Sequence, residues 1–322
     1  MSRNRNKVGD IMENELKLSV LVVTYNHEKY IKEAINSILM QKTSHQYEIV
    51  VADDCSTDGT MKIIKEYQQK FPDKFRILEP EANLGITKNY KRGFKACNGE
   101  YVAILEGDDY WTSPYKLEKQ ISFLDKHRDC VLVFNRFLVF DMSTNKKNAQ
   151  PWYSYKRYQK TTVNELIISN FIGNFSTCMY RLDAVKAIDE SLYEHVVYDW
   201  MLNIVLATKG LIGYLPRVMS VYRLNPSGTW SQKSNLEKIK HTIESIDIYN
   251  NYLDYKYDNE FTQHRDRLSK NYENLTNSVD EYIKPTYREI LRYYCPEFII
   301  SILKVILPKK FVKAISNQEK ED

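Results

Sequence analysis

The first 125 residues alternate between short apolar runs and segments in which apolar residues recur at helical spacing. The runs are rich in Val, Ile and Leu, which is typical of strands buried on both faces of a sheet. They span 18–24, 47–52, 75–78 and 101–105, and the segments with helical spacing span 28–40, 58–71 and 86–96. Because parallel strands are joined through crossover helices, this order predicts an α/β fold with a mainly parallel sheet and helices on both faces.

The second part of the chain continues with longer and less regular segments. Its apolar patterns predict helices at 115–126, 162–169, 182–188 and 198–208, and strands at 130–140, 173–180 and 211–222. Two segments are predicted to be loops: 141–160, which lies over the site, and 224–232, which is mobile and contains Pro226 and Gly228. Beyond Lys233 helical spacing resumes and continues to Tyr282.

Composition divides the chain into three parts. Residues 1–16 are polar and predict a disordered tail, 17–232 hold the alternating pattern and predict one domain, and 233–322 predict a helical C-terminal region. Within the last part, 296–314 is amphipathic and basic, because an apolar run at 298–307 is accompanied by lysines. Such a segment indicates contact with a membrane surface, and the alternative is a helix packed on the domain with its lysines in water.

Charge and cysteine usage exclude several classes of protein. The net charge is +4 with no dense basic arm, which argues against nucleic acid as a partner. The five cysteines are widely spaced, which predicts reduced thiols and no zinc site. The first 17 residues lack the apolar core of a signal peptide, and no stretch approaches the ~20 apolar residues of a membrane span, so we expect a cytoplasmic protein.

Adjacent carboxylates stand where the fourth predicted strand ends. Glu106-Gly107-Asp108-Asp109 directly follows the run 101–105. Open α/β sheets bind ligands at the carboxyl ends of their strands, and Mg²⁺ typically takes one or two carboxylates together with phosphate oxygens. The turn therefore predicts a cation and phosphate site, and a solvated polar turn is the alternative for an acidic pair considered alone.

Polar residues also follow the first two strands. After the second strand, Ser56 or Thr57 can cap the next helix, so Asp53 and Asp54 are not needed as caps. One of the two aspartates can therefore accept a hydrogen bond from a ligand, such as the N–H of a uracil ring. Lys88 begins the third helix, where it could reach a phosphate; considered alone it is a surface cation.

Together these segments resemble the family 2 glycosyltransferases, whose nucleotide-sugar domain has the Rossmann-like GT-A fold. The matching pieces occur in family order at 20–26, 51–60, 83–85, 99–101 and 106–109, the last in the place of the family's DXD motif. The likeness covers 17–125, which would form the nucleotide-sugar half, and weakens over 126–232, the acceptor side. Five pieces in order are far more specific than any one of them.

The resemblance implies roles on the nucleotide side. Val23 and Tyr25 would line the base pocket, with Glu28 nearby. Asp54 would bind uracil, which favours a UDP-sugar as the donor. Lys88 takes the position where relatives often carry Arg.

The resemblance also implies roles on the catalytic side. Asp108 would contact the ribose or the metal, and Asp109 would hold Mn²⁺ or Mg²⁺ against the diphosphate. Asp199 matches the acidic residue that opens a helix on the acceptor side and would be the general base, although the helix dipole alone also favours an Asp there. Arg223 lies in the segment that resembles the closing lid and would contact the diphosphate. Some relatives supply a metal-binding His in that lid, where this chain has Asn225.

The implied activity is that of an inverting, metal-dependent hexosyltransferase of class EC 2.4. It would move a sugar from a nucleotide-diphosphate sugar to a hydroxyl of a glycan or lipid-linked glycan, in cell-surface polysaccharide synthesis at the inner face of the cell membrane. His27 and His195 are interpreted as local hydrogen-bonding groups.

Two alternatives remain open at the level of sequence. One is a catalytically inactive glycan-binding or scaffold module of the same fold. The other is a sugar nucleotidyltransferase, which generally needs a glycine-rich loop after its first strand, whereas residues 24–28 contain no glycine.

Overall fold

The four predicted strands of the first 125 residues form the parallel half of one sheet. The computed structural model describes residues 16–80, 82–149, 159–195, 198–225, 228 and 230–277. Strands β1 (Leu18–Thr24), β2 (Tyr47–Asp53), β3 (Phe75–Leu78) and β4 (Tyr101–Glu106) lie in the order β3-β2-β1-β4. Val23 is in register with Ala52 of β2 and with Glu106 of β4, so the carboxyl ends of these strands meet at one edge.

Helices cover both faces of the parallel strands, as predicted. Helix α3 (Ile86–Ala96) packs with Leu21 and Val23 on one face. Helices α1 (Ile31–Leu39), α2 (Thr60–Lys70) and α4 (Lys116–Lys126) pack with Val20 and Val22 on the other. Since alternate residues of a strand point to opposite faces, both sets must be apolar, which explains the near-continuous apolar runs.

The second half of the sheet is mixed in direction. Strand β9 (Cys178–Arg181) runs antiparallel between β4 and β6 (Cys130–Asp141), and β6 is parallel to β10 (Leu211–Leu224). Strands β5 (Tyr110–Trp111) and β8 (Gln159–Thr161) pair antiparallel with β10, and β7 (Lys146–Ala149) with β6. The sheet thus combines the predicted parallel half with an antiparallel insertion.

Two local predictions in this half are wrong. The segment 173–180 is not one strand, because a 3-10 turn (Phe175–Thr177) precedes β9. The segment 141–160 is not simply a loop, since its described residues include β7 and the start of β8. Both errors arise because pairing partners, which local patterns do not reveal, decide where short strands form.

Five more helices complete the described chain. They are α5 (Val163–Ile168), α6 (Leu182–Lys186), α7 (Asp199–Ala207), α8 (Asn235–Tyr252) and α9 (Asp258–Asn277), and a 3-10 segment (Glu190–Glu194) precedes α7. Every residue of α7 from Trp200 onward is buried, and the Trp200 ring lies 5.6 Å from that of Tyr249 in α8 and 6.4 Å from that of Phe261 in α9. Helices α8 and α9 therefore contribute to the core around α7.

The chain divides into two compact units, Met1–Tyr272 and Glu273–Asp322. The described part of the second unit is 273–277, the end of α9. The predicted tail before residue 16, parts of the predicted loop 224–232 and the amphipathic segment 296–314 lie outside the described residues. Among the described helices, none combines the length and apolar character needed to span a membrane.

Candidate active site

The acidic turn that ends β4 folds over the carboxyl end of β1. The N–H of Gly107 donates to the carbonyl of Val23 at 2.9 Å. A Cβ on Gly107 would lie 2.5 Å from Thr24 Oγ1 and 2.7 Å from His27 Nδ1, so this close approach requires glycine. The turn consequently sits directly beside the loop that follows β1.

Asp109 is completely buried, and its carboxylate is held from three sides. Asn174 Nδ2 donates to Oδ2 at 2.8 Å and the Ser176 hydroxyl at 2.6 Å, while the Arg223 N–H donates to Oδ1 at 2.9 Å. Burial is the largest cause of a raised pKa at Asp109, and the charges of Asp108 and Glu106 add to it. An enclosed carboxylate of this kind holds the turn in place, and the predicted contact of Asp109 with a cation is not tested by this arrangement.

Asp108 is the more accessible aspartate of the turn. Its side chain is 21% exposed, and its Oδ2 lies 3.8 Å from His27 Nε2. The loop from β1 and the turn from β4 bring these two groups together because β1 and β4 are adjacent and parallel. Asp108, of the two aspartates, is therefore the one placed to meet a ligand.

Arg223 lies beneath the turn. Its guanidinium donates to the carbonyl of Asp108 and to the carboxylate of Glu33, and it lies 4.4 Å from the ring centroid of Tyr110. The side chain is only 5% exposed. The structure places Arg223 as a brace for Asp108, and the predicted contact with a diphosphate is not tested by this arrangement.

Asp54 anchors the loop that precedes α3. Its carboxylate accepts hydrogen bonds from the backbone N–H groups of Leu84 at 2.7 Å and Gly85 at 2.9 Å. Asn83 Nδ2 donates to the backbone carbonyl of Asp54 at 3.0 Å. Gly85 has a φ of +77°, which side chains other than glycine rarely adopt. Since a carboxylate has about four acceptor positions, Asp54 keeps acceptor capacity for a ligand.

The other predicted nucleotide-side residues differ in exposure. Val23 is buried in β1, whereas Tyr25, Glu28 and Lys88 are exposed. The Glu28 carboxylate accepts the N–H of Gly59, just before α2, at 3.0 Å. Together with exposed Leu84 and Ile86, Tyr25 provides apolar surface at the carboxyl edge of the sheet.

Asp199 begins α7 and has one carboxylate oxygen enclosed by protein. Oδ2 is buried and has no hydrogen-bond partner among the described residues. Burial raises the pKa of Asp199 to about 6, although hydrogen bonds from the Trp200 N–H and the Asn170 side chain act in the opposite direction. A buried acceptor without a donor costs free energy, and such groups are concentrated at functional sites.

Glu106 interacts electrostatically with both Asp108 and Asp199. The Tyr90 hydroxyl donates to its Oε1 at 3.0 Å, and the Glu106 N–H donates to Ser176 Oγ at 3.1 Å. Burial, and then the charges of Asp108 and Asp199, raise the pKa of Glu106. Sequence reasoning assigned no role to Glu106, although its place at the end of β4 signalled one.

The acidic groups form one electrostatic cluster. The pKa of Tyr222 is raised mainly by burial and further by the charges of Asp109, Glu106, Asp108 and Asp199. Burial and the neighbouring acids also raise the pKa values of Glu106 and Asp109, and a divalent cation would relieve the repulsion among these carboxylates. Within the described ranges no three His, Cys, Asp or Glu side chains are arranged to hold a metal, so a cation here would also need oxygens from a ligand.

Sequence reasoning missed Asn174 and Ser176, which hold Asp109. Asn174 lies just before the 3-10 turn (Phe175–Thr177) and Ser176 lies within it, 65 and 67 residues from Asp109. No local pattern distinguishes them from ordinary polar residues. Only the antiparallel insertion of β9 brings this turn under the acidic one.

Three features together define the GT-A class of fold. They are the parallel strand order β3-β2-β1-β4, the antiparallel strand β9 next to β4, and the acidic turn at the carboxyl end of β4. The chain belongs to glycosyl transferase family 2, whose family model matches residues 19–189, more than half of its length. The predicted resemblance is confirmed.

Relatives and solved structures agree with this assignment. An uncharacterized protein of Mycobacterium tuberculosis is 36% identical over 213 residues, which are 66% of this chain and 60% of that protein. The poly(ribitol-phosphate) beta-N-acetylglucosaminyltransferase TarS of Staphylococcus aureus is 39% identical over 119 residues, 37% of this chain and 20% of TarS. The chain thus spans less than two thirds of the length of these relatives.

Two solved structures share the fold. TarS residues 1–349 match with a TM-score of 0.54 and 25% identity, covering 72% of this chain and 65% of that one. The mannosyltransferase PcManGT of Pyrobaculum calidifontis, solved with GDP-Man and Mn²⁺, matches with a TM-score of 0.54 and 14% identity, covering 96% of this chain and 88% of that one.

Proposed function

We propose that this protein is an inverting glycosyltransferase that transfers a sugar from a UDP-sugar to a hydroxyl of a glycan or lipid-linked glycan. The observation that carries the proposal is the buried Oδ2 of Asp199, which has no hydrogen-bond partner among the described residues and belongs to the same acidic cluster as the accessible Asp108. One group is suited to take a proton and the other to face a charged donor. The name of TarS, an N-acetylglucosaminyltransferase, supports the reaction class.

The nucleotide would lie along the carboxyl edge of β1 and β2. Tyr25, Leu84 and Ile86 offer exposed apolar surface for a base, and Asp54 retains acceptor capacity for an imide N–H such as that of uracil. Lys88, exposed in the first turn of α3, would contact the diphosphate as a point charge. Glu28 would remain at the rim of this pocket.

The residues fit a divalent cation at Asp108 better than at Asp109. Asp108 is partly exposed, whereas the carboxylate of Asp109 is enclosed by three donors. We therefore assign the proposed Mn²⁺ or Mg²⁺ to Asp108, with oxygens of the diphosphate as further ligands. When bound, the cation would neutralise charge on the leaving diphosphate.

Asp199 would act as the general base. As the acceptor oxygen attacks the anomeric carbon, its proton passes to Oδ2 of Asp199, and the bond between that carbon and the diphosphate oxygen breaks with its electron pair. Attack from the face opposite the diphosphate inverts the anomeric configuration. A pKa of about 6 keeps the base ionised at neutral pH while leaving it a useful proton acceptor.

Calorimetry with UDP, GDP and dTDP, each with and without Mn²⁺, tests the donor site. We expect UDP to bind most tightly and only with the metal. Donor turnover measured by UDP release, followed by NMR of the glycosylated product, tests the reaction. A product that retains the donor's anomeric configuration contradicts the mechanism, and a folded protein that binds none of the nucleotides favours a glycan-binding module instead.

A further inference from the structure

The imidazole of His27 faces the accessible carboxylate of Asp108. We infer that His27 Nε2 is a second protein ligand to the divalent cation at Asp108; this inference rests on the proposed function. The sequence pattern alone indicated a local hydrogen-bonding role for His27, whereas its tertiary contacts favour a role as a metal ligand.

The imidazole of His27 is oriented by its neighbours. Its Nδ1 lies 3.2 Å from Thr24 Oγ1, and its backbone N–H donates to Thr60 Oγ1 at 2.8 Å. A metal-binding histidine normally uses its second ring nitrogen in a hydrogen bond that fixes the ring, and Thr24 supplies that bond here. Nε2 is left facing Asp108.

The gap between the two groups suits a shared ion. Nε2 of His27 and Oδ2 of Asp108 are 3.8 Å apart, which is longer than a hydrogen bond. Two ligand atoms that each lie ~2.1 Å from one cation can be at most ~4.2 Å apart. The side chains are 20% and 21% exposed, so an ion and a diphosphate can reach both.

The turn is held so that this pairing persists. Gly107 packs against Thr24 and His27 where a Cβ would clash, Arg223 holds the carbonyl of Asp108, and Asp109 is fixed by its own donors. Because the Asp109 carboxylate already accepts three hydrogen bonds, the turn offers one accessible aspartate carboxylate, and the His27 imidazole lies beside it as a second possible ligand.

An imidazole ligand also predicts which metal is preferred. Mg²⁺ favours oxygen ligands and near-ideal octahedral geometry, whereas nitrogen donors strengthen binding of transition metals. We therefore expect the complex with UDP to bind Mn²⁺ more tightly than Mg²⁺, and we expect His27 to account for part of that preference.

Electron paramagnetic resonance of Mn²⁺ tests this directly in the full chain with UDP. Spin-echo modulation from a coordinated ¹⁴N should be present in the wild type, absent in His27→Asn and unchanged in His45→Asn. In His27→Asn, the shorter side chain can keep the hydrogen bond to Thr24 without reaching Asp108. His45→Asn is the matched control, because His45 precedes β2 at the opposite edge of the sheet. Titration of the free Mn²⁺ signal should show affinity reduced roughly 10–100-fold in His27→Asn, and less in His27→Gln, whose amide oxygen can reach the position of Nε2.

Each outcome bears on a distinct claim. If the wild type binds Mn²⁺ with UDP but shows no nitrogen modulation, the inference is overturned while the proposed function stands. Unchanged Mn²⁺ affinity in His27→Asn overturns it equally. If the wild type binds no Mn²⁺ with UDP, both the inference and the metal-dependent function fail. Thermal unfolding of each variant verifies that it is folded.

Discussion

At the scale of single residues, two adjacent aspartates have opposite environments. Asp108 is partly exposed at the ligand side, whereas Asp109 is buried and accepts three hydrogen bonds. Chain neighbours in an irregular turn point in different directions, so the same residue type can be a ligand group in one case and a structural group in the other.

This difference predicts separable phenotypes. Asp108→Asn should abolish Mn²⁺-dependent UDP binding with the unfolding temperature little changed. Asp109→Asn should lower the free energy of unfolding by about 1–3 kcal/mol, because an amide N–H₂ group would face buried donors. Calorimetry with UDP and chemical denaturation of both variants would measure this; normal stability in Asp109→Asn would contradict its structural role.

The general base predicts a pH dependence. Burial raises the pKa of Asp199 to about 6, and only the ionised carboxylate can accept a proton. The kcat/KM for transfer should therefore fall about tenfold per pH unit below pH 6 and level off above it. Measurement between pH 5 and 8 tests the assignment; a flat profile down to pH 5 contradicts it, as would Asp199→Asn with wild-type turnover.

At the scale of elements, helix α4 supports the acidic turn from a distance. Its first residue, Lys116, is fully buried, donates to Gln120 Oε1 at 2.7 Å and lies 4.3 Å from the ring centroid of Trp111. Gln120 and Trp111 donate to the carbonyls of Thr177 at 2.8 Å and Ser176 at 2.9 Å. The start of α4 thereby fixes the 3-10 turn whose Ser176 hydroxyl holds Asp109.

The buried amine predicts a stability effect that depends on pH. Burial lowers the pKa of Lys116 to about 7 from 10.5, so between these values the unfolded chain binds more protons than the folded one. This group therefore makes the wild type more stable as pH rises from about 7 toward 10.5. Lys116→Met lacks the titration, so its stability relative to wild type should be highest below pH 7 and decline toward pH 10. Urea unfolding at pH 6 and 10 measures this, and parallel pH profiles contradict it.

At the scale of the whole molecule, the sheet combines parallel and antiparallel strand pairing around one site. The parallel half brings the loops after β1, β2 and β4 to a common edge, and the antiparallel insertion of β9 places Ser176 beside the turn. Helix α7, which packs on α8 and α9 through Trp200, brings Asp199 into the same electrostatic cluster.

We propose that the segment 296–314 attaches the protein to anionic membrane surfaces. Changing Lys304, Lys309, Lys310 and Lys313 to Glu should then weaken binding to phosphatidylglycerol vesicles at least roughly a hundredfold, since each lysine near such a surface contributes ~1 kcal/mol. Sedimentation with anionic and with neutral vesicles measures it, with UDP binding as the control for folding. Unchanged sedimentation with anionic vesicles would mean that these lysines make no such contact.

Much of the nucleotide half was predictable from sequence. The bounds of β1, β3 and α3 match the predicted segments, and the acidic turn lies at the predicted sheet edge. These features follow from residues close in the chain, because periodicity and turn chemistry are local properties. The family resemblance rests on the same local motifs.

Tertiary structure alone decided which groups are available for chemistry. The burial of Asp109 depends on Asn174 and Arg223, which are 65 and 114 residues away in sequence. The burial of Asp199 Oδ2, which finds no donor within the described ranges, and the approach of His27 to Asp108 likewise appear only in the folded chain. Local sequence determines the elements and the acidic turn, whereas exposure and hydrogen bonding of each carboxylate are set by residues that only the folded chain brings together.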